Sequence, residues 1–335
     1  MTTIYDIAKA LGVAPSTVSK ALNGGSGVSE KTRNKIIRYA NKVRYIPNAN
    51  ASRLKTKRSY SIGIIYSENL NIGLEHHFFS SVIQAFKDYV ETKGYEITFV
   101  IRNLGNTEMT FLEFCKHKQL DGVFIVVAEH SDKDLQELID SDIPCVTTDL
   151  VEDNIFTVMT DNEYGAKRAV LEFFNNGHRQ IAHITGSLNS YAGSERLVGY
   201  RKGMNEVGLE DSDDLIFVTE GFTFEDGYVA AGNVLAMDEI PTAVFAAGDD
   251  LAFGAIKRFH ENGYRVPQDI AVIGFDDGPF AKYFDPPLST LHQDRLAIGV
   301  GAAKYLIQQI EEGQDESSKM GELRIRPTFV KRESA

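Results

Sequence analysis

From residue 60 onward, short apolar runs alternate with stretches of helical periodicity, and this alternation constrains the fold more than any other feature of the sequence. Nine runs are interpreted as strands: Ser61–Tyr66, Ile97–Ile101, Gly122–Val127, Pro144–Thr148, Phe156–Thr160, Ile181–Ile184, Leu215–Val218, Ala243–Ala246 and Ile270–Gly274. Helical patterns such as Phe79–Lys93, Tyr164–Asn176 and Asp250–Asn262 lie between most of them. Apolar strands joined through helices are typical of parallel sheets that are covered on both faces. Because nine strands exceed one comfortable open sheet, we expect an α/β fold of two doubly wound lobes with a boundary near Asp161.

The first 46 residues carry a different pattern, that of three short helices. Tyr5–Leu11 has apolar residues at helical spacing, and Gly12 and Pro15 mark a tight turn after it. A second helix begins at Pro15 or Ser16, and a third is expected over Ser29–Val43. The outer face of the second helix holds small, hydrogen-bonding or cationic residues: Pro15, Ser16, Thr17, Ser19, Lys20 and Asn23. This is the pattern of a helix-turn-helix, whose second helix can lie in the major groove of DNA, although similar bundles occur in proteins that do not bind DNA.

Charge is strongly segregated between this N-terminal segment and the remainder of the chain. Residues 1–58 hold twelve lysines and arginines but only Asp6 and Glu30 as acidic residues, a net charge of +10. The whole chain has a net charge of -12, so residues 59–335 carry -22. A basic segment attached to an acidic body indicates a nucleic-acid-binding module, and its phosphate contacts would make the affinity dependent on salt.

Several classes of protein are disfavoured by what the sequence lacks. No stretch approaches the roughly 18–20 apolar residues of a membrane-spanning helix, and the N-terminus has no basic-then-apolar signal segment. Cys115 and Cys145 lack metal-ligand spacing, and motifs for nucleotide phosphates, dinucleotides or a nucleophilic serine are missing. The pair His76 and His77 is interpreted as a solvent-facing part of a loop. We therefore expect a cytoplasmic protein that is not an enzyme, binds neither metal nor cofactor, and has no contact with membranes.

Aspartates follow several of the predicted strands, at Asp149, at Asp161, and in the pairs Asp249–Asp250 and Asp276–Asp277. Ligands of such sheets bind beyond the carboxyl ends of the strands, so these residues are candidates for a cleft between two facing lobes. Aspartate is also a good helix cap and turn former, which is the alternative role for Asp250 and Asp277 in particular. An acidic metal site at Asp249 and Asp276 has no histidine or cysteine spacing to support it.

Taken together, these features resemble the lactose-repressor/galactose-repressor family of bacterial transcription regulators. The matching stretches run through nearly the whole chain: TIYDIAKALGVAPSTVSKALNG, VSEKTRNKI and YIPNANASRLKTKRS at the front, and GHRQIAHITG, ERLVGYRKGM, PTAVFAAGDDLAFGAI, VPQDIAVIGFDD and PPLSTLHQD in the body. A single helix-turn-helix would be a weak signal, whereas this ordered set is very specific.

The resemblance implies a helix-turn-helix headpiece at residues 1–46, a hinge helix and linker at 47–59, and a two-lobed core like periplasmic sugar-binding proteins at 60–335. The chain would pass between the lobes near Asp161, near Ser289–Asp294 and near Gly321. Lobe one would then be about 60–161 plus 290–320, and lobe two about 162–289 plus 321–335. Members of the family bind palindromic double-stranded operators as homodimers, and a small molecule in the cleft changes their affinity for DNA.

Carried over residue by residue, the resemblance assigns three positions to base edges: Pro15, Ser16 and Lys20. It assigns six others to phosphates: Tyr5, Thr17, Ser19, Asn23, Ser29 and Thr32. Because proline cannot hydrogen-bond a base through its side chain, Ser16 and Lys20 are expected to carry more of the readout. In the hinge, Asn48, Ala51 and Leu54 match DNA-contacting positions, with Leu54 as an apolar wedge in the minor groove. The family often has arginine where this chain has Ser52, which puts the phosphate contacts of the hinge in doubt.

For the effector, the resemblance points to polar residues of the cleft, namely Asp161, Arg196, Asp249, Asp276 and Gln293, and to an aromatic wall of Phe78, Phe79 and Phe222. Carboxylates, a guanidinium and a flat apolar ring suit a sugar, whereas a purine would prefer neutral amides between two aromatic faces. Arg196 could alternatively be an ion-pair partner that holds Asp276.

We therefore expect a homodimeric, sugar-controlled transcription repressor. The alternatives are control by a partner protein docked on lobe one, by a nucleobase or by a phosphorylated ligand. A solute-binding sensor without a DNA function is disfavoured by the basic headpiece. Because the chain ends at Ala335 just after a last predicted strand over Leu323–Val330, without a leucine heptad tail, a dimer is expected rather than a tetramer.

Overall fold

The computed structural model of the chain describes residues 2–22, 24–45, 58–66, 74, 76–129, 132–148, 150, 154–313 and 321–335. It divides into two compact units, residues 1–60 and residues 61–335. The first unit contains the three expected helices, α1 Ile4–Leu11, α2 Pro15–Leu22 and α3 Glu30–Lys42. Their inward-facing residues form one small core: Ile7, Ala8, Val18, Ala21, Ile36 and Ala40.

The helices of the first unit begin and end at residues with the appropriate chemistry. Thr3 caps α1 in a capping box with Asp6, whose carboxylate accepts from the Thr3 N–H at 2.8 Å. Gly12 ends α1 with a φ of 68°, a left-handed conformation that glycine adopts without a steric penalty. Ser29 caps α3 by accepting a hydrogen bond from the Thr32 N–H at 3.3 Å. These local signals explain why the sequence pattern was sufficient to place all three helices.

The second unit is built from parallel strands and the helices that connect them. Its strands are β1 Ser61–Tyr66, β2 Glu96–Phe99, β3 Asn103–Leu104, β4 Thr107–Glu108, β5 Gly122–Val127, β6 Cys145–Thr147, β7 Phe156–Thr160, β8 Ile181–Thr185, β9 Ile216–Val218, β10 Ala243–Ala246, β11 Ala271–Asp276, β12 Ser289–His292, β13 Glu322–Ile325 and β14 Thr328–Val330. Its α-helices are α4 His77–Thr92, α5 Phe111–Lys118, α6 Lys133–Ile139, α7 Asn162–Asn175, α8 Tyr191–Glu206, α9 Phe224–Leu235, α10 Asp249–Glu261 and α11 Arg295–Glu312.

The strands form two six-stranded sheets, one in each lobe. The sheet of lobe one has the order β13-β7-β6-β5-β1-β2, and that of lobe two has the order β14-β12-β11-β10-β8-β9. Among the described strands of these sheets, neighbours pair in parallel except β12 and β14, which are antiparallel. The expected fold class, a helix-turn-helix with two doubly wound parallel-sheet lobes, is confirmed.

Helices cover both faces of each sheet, so the central strands are apolar throughout. In lobe two, Ala243 and Phe245 of β10 pack with α7 and α8, while Val244 and Ala246 pack with α9 and α10. In lobe one, α4 and α11 pack together, and Phe86 of α4 stacks on Phe124 of β5 at 4.4 Å. Helices α5 and α6 form a separate core with the opposite side of the same strands.

The chain crosses between the lobes three times, and the structure moves one of these crossings. The first lies at Asp161, and the second at residues 293–294, between β12 and α11. The predicted last strand, Leu323–Val330, is in fact two strands in different sheets, since β13 pairs with β7 and β14 pairs with β12. The break falls at Arg326-Pro327, where proline has no N–H to continue a ladder.

The third crossing therefore lies at residues 326–327 rather than near Gly321, and the boundaries of the lobes shift accordingly. Lobe one consists of residues 61–160 with 295–325, and lobe two of 162–292 with 328–335. Ser289–His292, which the sequence analysis treated as part of a crossing, is strand β12 of lobe two. Strand β12 is short and rich in polar residues, so its composition does not indicate a strand. It is buried because it pairs with β11 on one side and with β14 on the other.

No helix in the described part of the chain is long and apolar enough to cross a membrane.

The core of lobe two contains an imidazole ring, that of His183 of β8. It is fully buried between the aromatic rings of Tyr200 and Phe245, whose centroids lie 5.0 and 4.7 Å from its own. Its Nδ1 lies 2.9 Å from the carbonyl oxygen of Phe245. Burial lowers the pKa of His183 from 6.5 to about 4, so the imidazole is neutral at pH 7.

We expect His183 to make the protein less stable in mild acid. Between pH 6.5 and about 4 the unfolded chain binds a proton at this residue that the folded chain does not, so the free energy of unfolding falls as the pH is lowered through this window. The whole effect is about 3 kcal/mol. Urea denaturation from pH 7 to 4 should show a shallower decline for His183→Phe, which keeps a stacked ring but cannot titrate. Identical slopes for the two proteins would contradict this account.

Candidate DNA-reading surface and effector cleft

The outward face of α2 presents the residues expected to read DNA. Val18 and Ala21 are buried in the core of the first unit, which turns the opposite side of the helix outward. On that side Ser16 and Lys20, one helical turn apart, are both exposed. Pro15, Thr17 and Ser19 are half-buried beside them. A hydroxyl and an ammonium group in this arrangement are suited to base edges and phosphate oxygens.

Other groups of the first unit are suited to phosphate. The ring of Tyr5 is 68% exposed, and the hydroxyls of Ser29 and Thr32 lie 2.8 Å apart at the N-terminus of α3, where N–H groups favour an anion. Exposed cations follow along α3 at Lys31, Lys35, Arg38 and Lys42. Asn23, Asn48, Ala51 and Leu54 lie outside the described residues, so the roles assigned to them stay predictions.

One cation of α3 has a structural role that the sequence analysis did not identify. Arg33 is half-buried, and its Nη2 donates to the carbonyl oxygen of Gly25 at 2.6 Å. Its Nη1 lies 3.5 Å from the carbonyl oxygen of Ala21, near the end of α2. Arg33 thus fastens the turn after α2 to α3. No pattern distinguishes it from its exposed neighbours except that it falls on the same helix face as Ile36 and Ala40.

In the second unit, Asp276 ends β11 at the carboxyl edge of the sheet of lobe two. Asp276 and Asp277 have φ values of 127° and 53°, which residues other than glycine rarely adopt. Gln293 donates its Nε2 N–H to Asp276 Oδ1. Arg295 donates to the carbonyl oxygens of Asp276 at 2.9 Å and of Asp277 at 3.1 Å. These bonds hold an unusual turn, and the Asp276 carboxylate with it, in one orientation.

Asp249 lies behind this turn rather than at the surface of the cleft. It is 3% exposed; its Oδ1 accepts from the Thr290 hydroxyl at 2.5 Å and its Oδ2 from the Gly278 N–H at 2.7 Å. Burial first, and then the charge of Asp276, raise the pKa of Asp249 well above its usual value. Both oxygens thus have partners within the protein, so Asp249 supports the turn, and the effector contact expected of it would be additional to this role.

Gln293 has a similar supporting position at the second crossing. It is 2% exposed, and its Oε1 accepts from the Thr160 hydroxyl at 2.5 Å while its Nε2 donates to Asp276. Thr160 belongs to lobe one and Asp276 to lobe two. The amide therefore joins the lobes, and the effector contact expected of Gln293 would be additional to this role.

Arg196 lies in the second turn of α8 and is 5% exposed. Its Nε donates to Asn162 Oδ1 at 2.9 Å and its Nη1 to the carbonyl oxygen of Ala247 at 2.5 Å. The guanidinium carbon lies 3.8 Å from the centroid of the Phe275 ring, a cation–π contact. A buried cation with these neutral partners is fixed before any ligand arrives.

Phe222 covers this guanidinium, with its ring centroid 6.0 Å from the guanidinium carbon of Arg196. The ring is half-buried and lies against the backbone of Gly186, where a Cβ atom would be 2.2 Å from it. Glycine is therefore required at position 186 for the ring to reach this place. The structure brings Phe222 and Arg196 together, as the sequence analysis expected of one ligand site.

The two phenylalanines of lobe one differ in accessibility. Phe79 is 8% exposed and packs against Tyr66 and His76, with ring centroids 6.0 and 5.0 Å away. Phe78 is half-buried beside it. Phe79 thus belongs to the core, and Phe78 is the more accessible wall residue. Of the histidine pair expected in a loop, His77 is exposed and His76 is the half-buried N-cap position of α4.

The remaining aspartates divide between capping and other roles. Asp161 caps α7, accepting from the Tyr164 N–H at 3.1 Å, and thereby fixes the first crossing. Its carboxylate has a structural partner, and any effector contact would be additional to it. Asp250 does not cap α10, because the cap position is Gly248.

Asp277 is held by the side chains of Arg332 and His292 rather than capping a helix. Its Oδ1 accepts from Arg332 at 2.6 Å, and its Oδ2 lies 3.0 Å from His292 Nδ1. No local pattern indicates either partner, because they lie 55 and 15 residues away in the chain. Among the described residues, no group of three or more histidines, cysteines or carboxylates is placed to hold a metal ion.

A helix-turn-helix with a polar outward face, joined in one chain to a two-lobed α/β core, defines a class of DNA-binding transcription regulators. The model of the bacterial regulatory proteins of the lacI family matches residues 3–48, and the periplasmic binding protein-like domain matches residues 170–335. The HTH-type transcriptional repressor PurR of Vibrio campbellii is 33% identical over 324 residues, 94% of each chain. The PurR repressor of Pasteurella multocida is 33% identical over 340 residues, 100% of this chain and 98% of the relative. The chain belongs to the lacI family of bacterial regulatory proteins.

Solved structures agree with this assignment. The lac repressor dimer bound to operator and the anti-inducer ONPF has a TM-score of 0.82 and 27% identity, covering 99% of this chain and 98% of that one. The complex of the transcriptional regulator CelR with cellobiose has a TM-score of 0.73 and 26% identity, covering 100% of both chains. The resemblance stated from the sequence is confirmed, and family membership makes the chain a regulator rather than an enzyme.

The supporting role of Asp249 leads to a prediction about stability. Asp249→Ala leaves the Gly278 N–H and the Thr290 hydroxyl without their acceptor, so the free energy of unfolding should fall by about 2 kcal/mol. Asp249→Asn keeps one acceptor and can donate to the hydroxyl, and should lose less than half of that. Urea denaturation measures both. Asp250→Ala, at the exposed neighbouring position, is the control and should leave stability unchanged. Equal stability of Asp249→Ala and the wild type would refute the role.

Proposed function

We propose that this protein is a sequence-specific transcriptional repressor whose operator affinity is controlled by a small molecule bound between its lobes. One observation carries the proposal: a single chain joins the exposed Ser16 and Lys20 of α2 to a cleft where Arg196 and Asp276 are oriented by the protein itself. Membership of the lacI family supports both halves of it. Operator binding would place the protein in the bacterial cytoplasm.

The repressor is proposed to bind a palindromic operator as a homodimer. One headpiece reads too few base pairs for useful specificity, and two that are related by a two-fold axis match a palindrome. The related lac repressor structure is described as a dimer. In lobe two, Phe280 and Tyr283 are 71% and 75% exposed, an apolar surface of the kind that subunit contacts cover.

For the effector, our first candidate is a neutral sugar. Asp276 Oδ2 receives no hydrogen bond from the described residues, and a carboxylate oxygen accepts readily from a ring hydroxyl. Arg196 supplies donors, and Phe222 supplies an apolar ring for the C–H face of a sugar. The related CelR structure holds cellobiose.

A planar nucleobase is the second candidate, and the structure gives a specific reason to include it. Asp249 and Gln293 are committed to hydrogen bonds within the protein, which leaves fewer groups for the many hydroxyls of a sugar. Phe78 and Phe222 come from opposite lobes, and two aromatic rings suit the two faces of a flat base.

Lys20 should contribute directly to operator binding. A good contact to a base is worth about 1–3 kcal/mol, so Lys20→Ala should weaken binding about tenfold or more. The duplex is obtained by selection from random palindromes with the full-length wild type, and affinity is measured by fluorescence anisotropy at several salt concentrations. Lys331→Ala removes an exposed lysine of the second unit and is the control. Equal affinity of Lys20→Ala and the control would contradict the assignment of α2.

Arg196 and Asp276 should contribute directly to effector binding. Leaving a buried polar partner unpaired costs roughly 1–3 kcal/mol, so Arg196→Ala and Asp276→Ala should each lose about ten- to a hundredfold in effector affinity. Calorimetry of the wild type against mono- and disaccharides and purine bases identifies the ligand, and the variants are then titrated with it. Operator binding without ligand checks that each variant is folded.

The outcomes separate the candidates. Binding of a sugar or of a base decides between the two ligand classes. Unchanged affinity in both variants would place the ligand elsewhere. If the wild type binds neither class, control by a phosphorylated ligand or by a docked partner protein becomes the better account.

A further inference from the structure

A network of polar side chains joins the two lobes beside the third crossing. Arg324 lies in β13 of lobe one, two residues before Arg326. Its Nη1 donates to Glu195 Oε2 and its Nη2 to the hydroxyl oxygen of Tyr191, both at 2.9 Å. Tyr191 and Glu195 belong to the first two turns of α8, in lobe two. The contact therefore spans the cleft independently of the Gln293 amide.

The guanidinium is anchored on its own lobe as well. Its Nε donates to Glu322 Oε1 at 2.6 Å and its Nη2 to Glu322 Oε2 at 3.1 Å, so the Glu322 carboxylate is held in a fork. The Arg324 and Glu195 side chains are 30% and 20% exposed. An ion pair at this depth is less screened by solvent than one on the open surface.

Two members of this network, Arg324 and Tyr191, have raised pKa values. The hydrogen bond to Glu322 raises the pKa of Arg324 above its ordinary value, which keeps the guanidinium charged. Burial, and then the Glu195 charge, raise the pKa of Tyr191 to about 12, so its hydroxyl stays neutral and can accept from Arg324. The donor Arg324 and the acceptor hydroxyl of Tyr191 therefore keep the protonation states that this hydrogen bond needs.

The network is continuous with the ligand cleft through α8. Glu195 directly precedes Arg196, whose guanidinium lies under Phe222. A helix of 16 residues moves as a rigid rod over its first turns, so a shift at Arg196 shifts Glu195 against Arg324. A rotation of the lobes about residues 326–327 changes the same distance.

We propose that Arg324 is a positioning residue that latches the two lobes together and holds the start of α8, and with it Arg196, in the orientation that the effector requires. The effect on Arg196 and the effector rests on the proposed function, whereas the latch between the lobes does not. Removing the latch would raise the fraction of molecules in which the lobes are apart. Effector affinity would then fall in proportion to the decrease in the fraction of molecules with closed lobes.

A matched control exists on the same helix. Glu206, at the other end of α8, pairs with Lys167 of α7 at 2.9 Å, and both of these residues belong to lobe two. This pair therefore joins two helices of lobe two and makes no contact between the lobes. Glu206→Gln removes a carboxylate of the same chemistry as Glu195→Gln but leaves the interlobe contact intact.

The experiment is hydrogen–deuterium exchange on the full-length protein without ligand. Arg324→Met and Glu195→Gln should each exchange about three- to tenfold faster at the crossings, residues 160–162, 293–295 and 325–328, and in the first turn of α8. Strands β5 and β10, in the lobe interiors, should keep wild-type rates. Glu206→Gln should leave the crossings unchanged. The double variant should exchange no faster than the faster single variant, because both substitutions remove the same contact between Arg324 and Glu195.

Two results would overturn the latch: wild-type rates at the crossings in both variants, or acceleration spread evenly over both lobes, which indicates a merely structural role. Since no ligand is present, failure of the sugar or nucleobase assignment does not affect this test. Once a ligand is identified by calorimetry, loss of its affinity in Glu195→Gln but not in Glu206→Gln supports the link to Arg196, and equal affinity in the two refutes that link.

Discussion

At the second crossing, the buried amide of Gln293 accepts from Thr160 of lobe one and donates to Asp276 of lobe two. An amide has one acceptor end and one donor end, and here each meets the complementary group. The Thr160 hydroxyl could accept as well as donate, so the carboxylate fixes the orientation: reversing the amide would place its carbonyl oxygen against the Asp276 carboxylate, where both groups are acceptors. The orientation of Asp276 toward the cleft, and the way the lobes meet at this crossing, both depend on this bond.

Behind that contact, the polar groups beside the cleft have hydrogen-bond partners within the protein. Asp249 supports the Asp276–Asp277 turn from one side, and Arg332 and His292 hold Asp277 from the other. Burying a charge is expensive unless it is paired, so these groups are oriented by the protein and need no ligand to order them. A ligand entering the cleft meets groups whose reorganisation cost has been met during folding, and this favours affinity.

Most charged groups of the first unit are exposed, unlike those beside the cleft of the second unit. Its core is small, so its folding stability is modest, and its cations are exposed along α3. Its interaction with DNA is therefore governed by counterion release and by the short polar face of α2 rather than by buried area. The exposed cations of the first unit thus suit a polyanion, whereas the groups beside the cleft of the second unit are held by partners within the protein.

Local patterns in the sequence determined a great deal about this protein. The start of the third helix at Ser29, the turn at Gly12, the apolar strands and the family resemblance follow from neighbouring residues, and the structure bears them out. Ser289–His292 and the break at Arg326-Pro327 were missed because pairing partners, not local composition, make the first a strand and divide the second. Only the tertiary structure decided that Asp249 and Gln293 form hydrogen bonds within the protein, and that Arg324 reaches Glu195 across 129 residues of chain. Burial and long-range hydrogen bonding depend on which surfaces the folded lobes bring together, and no spacing along the chain encodes that.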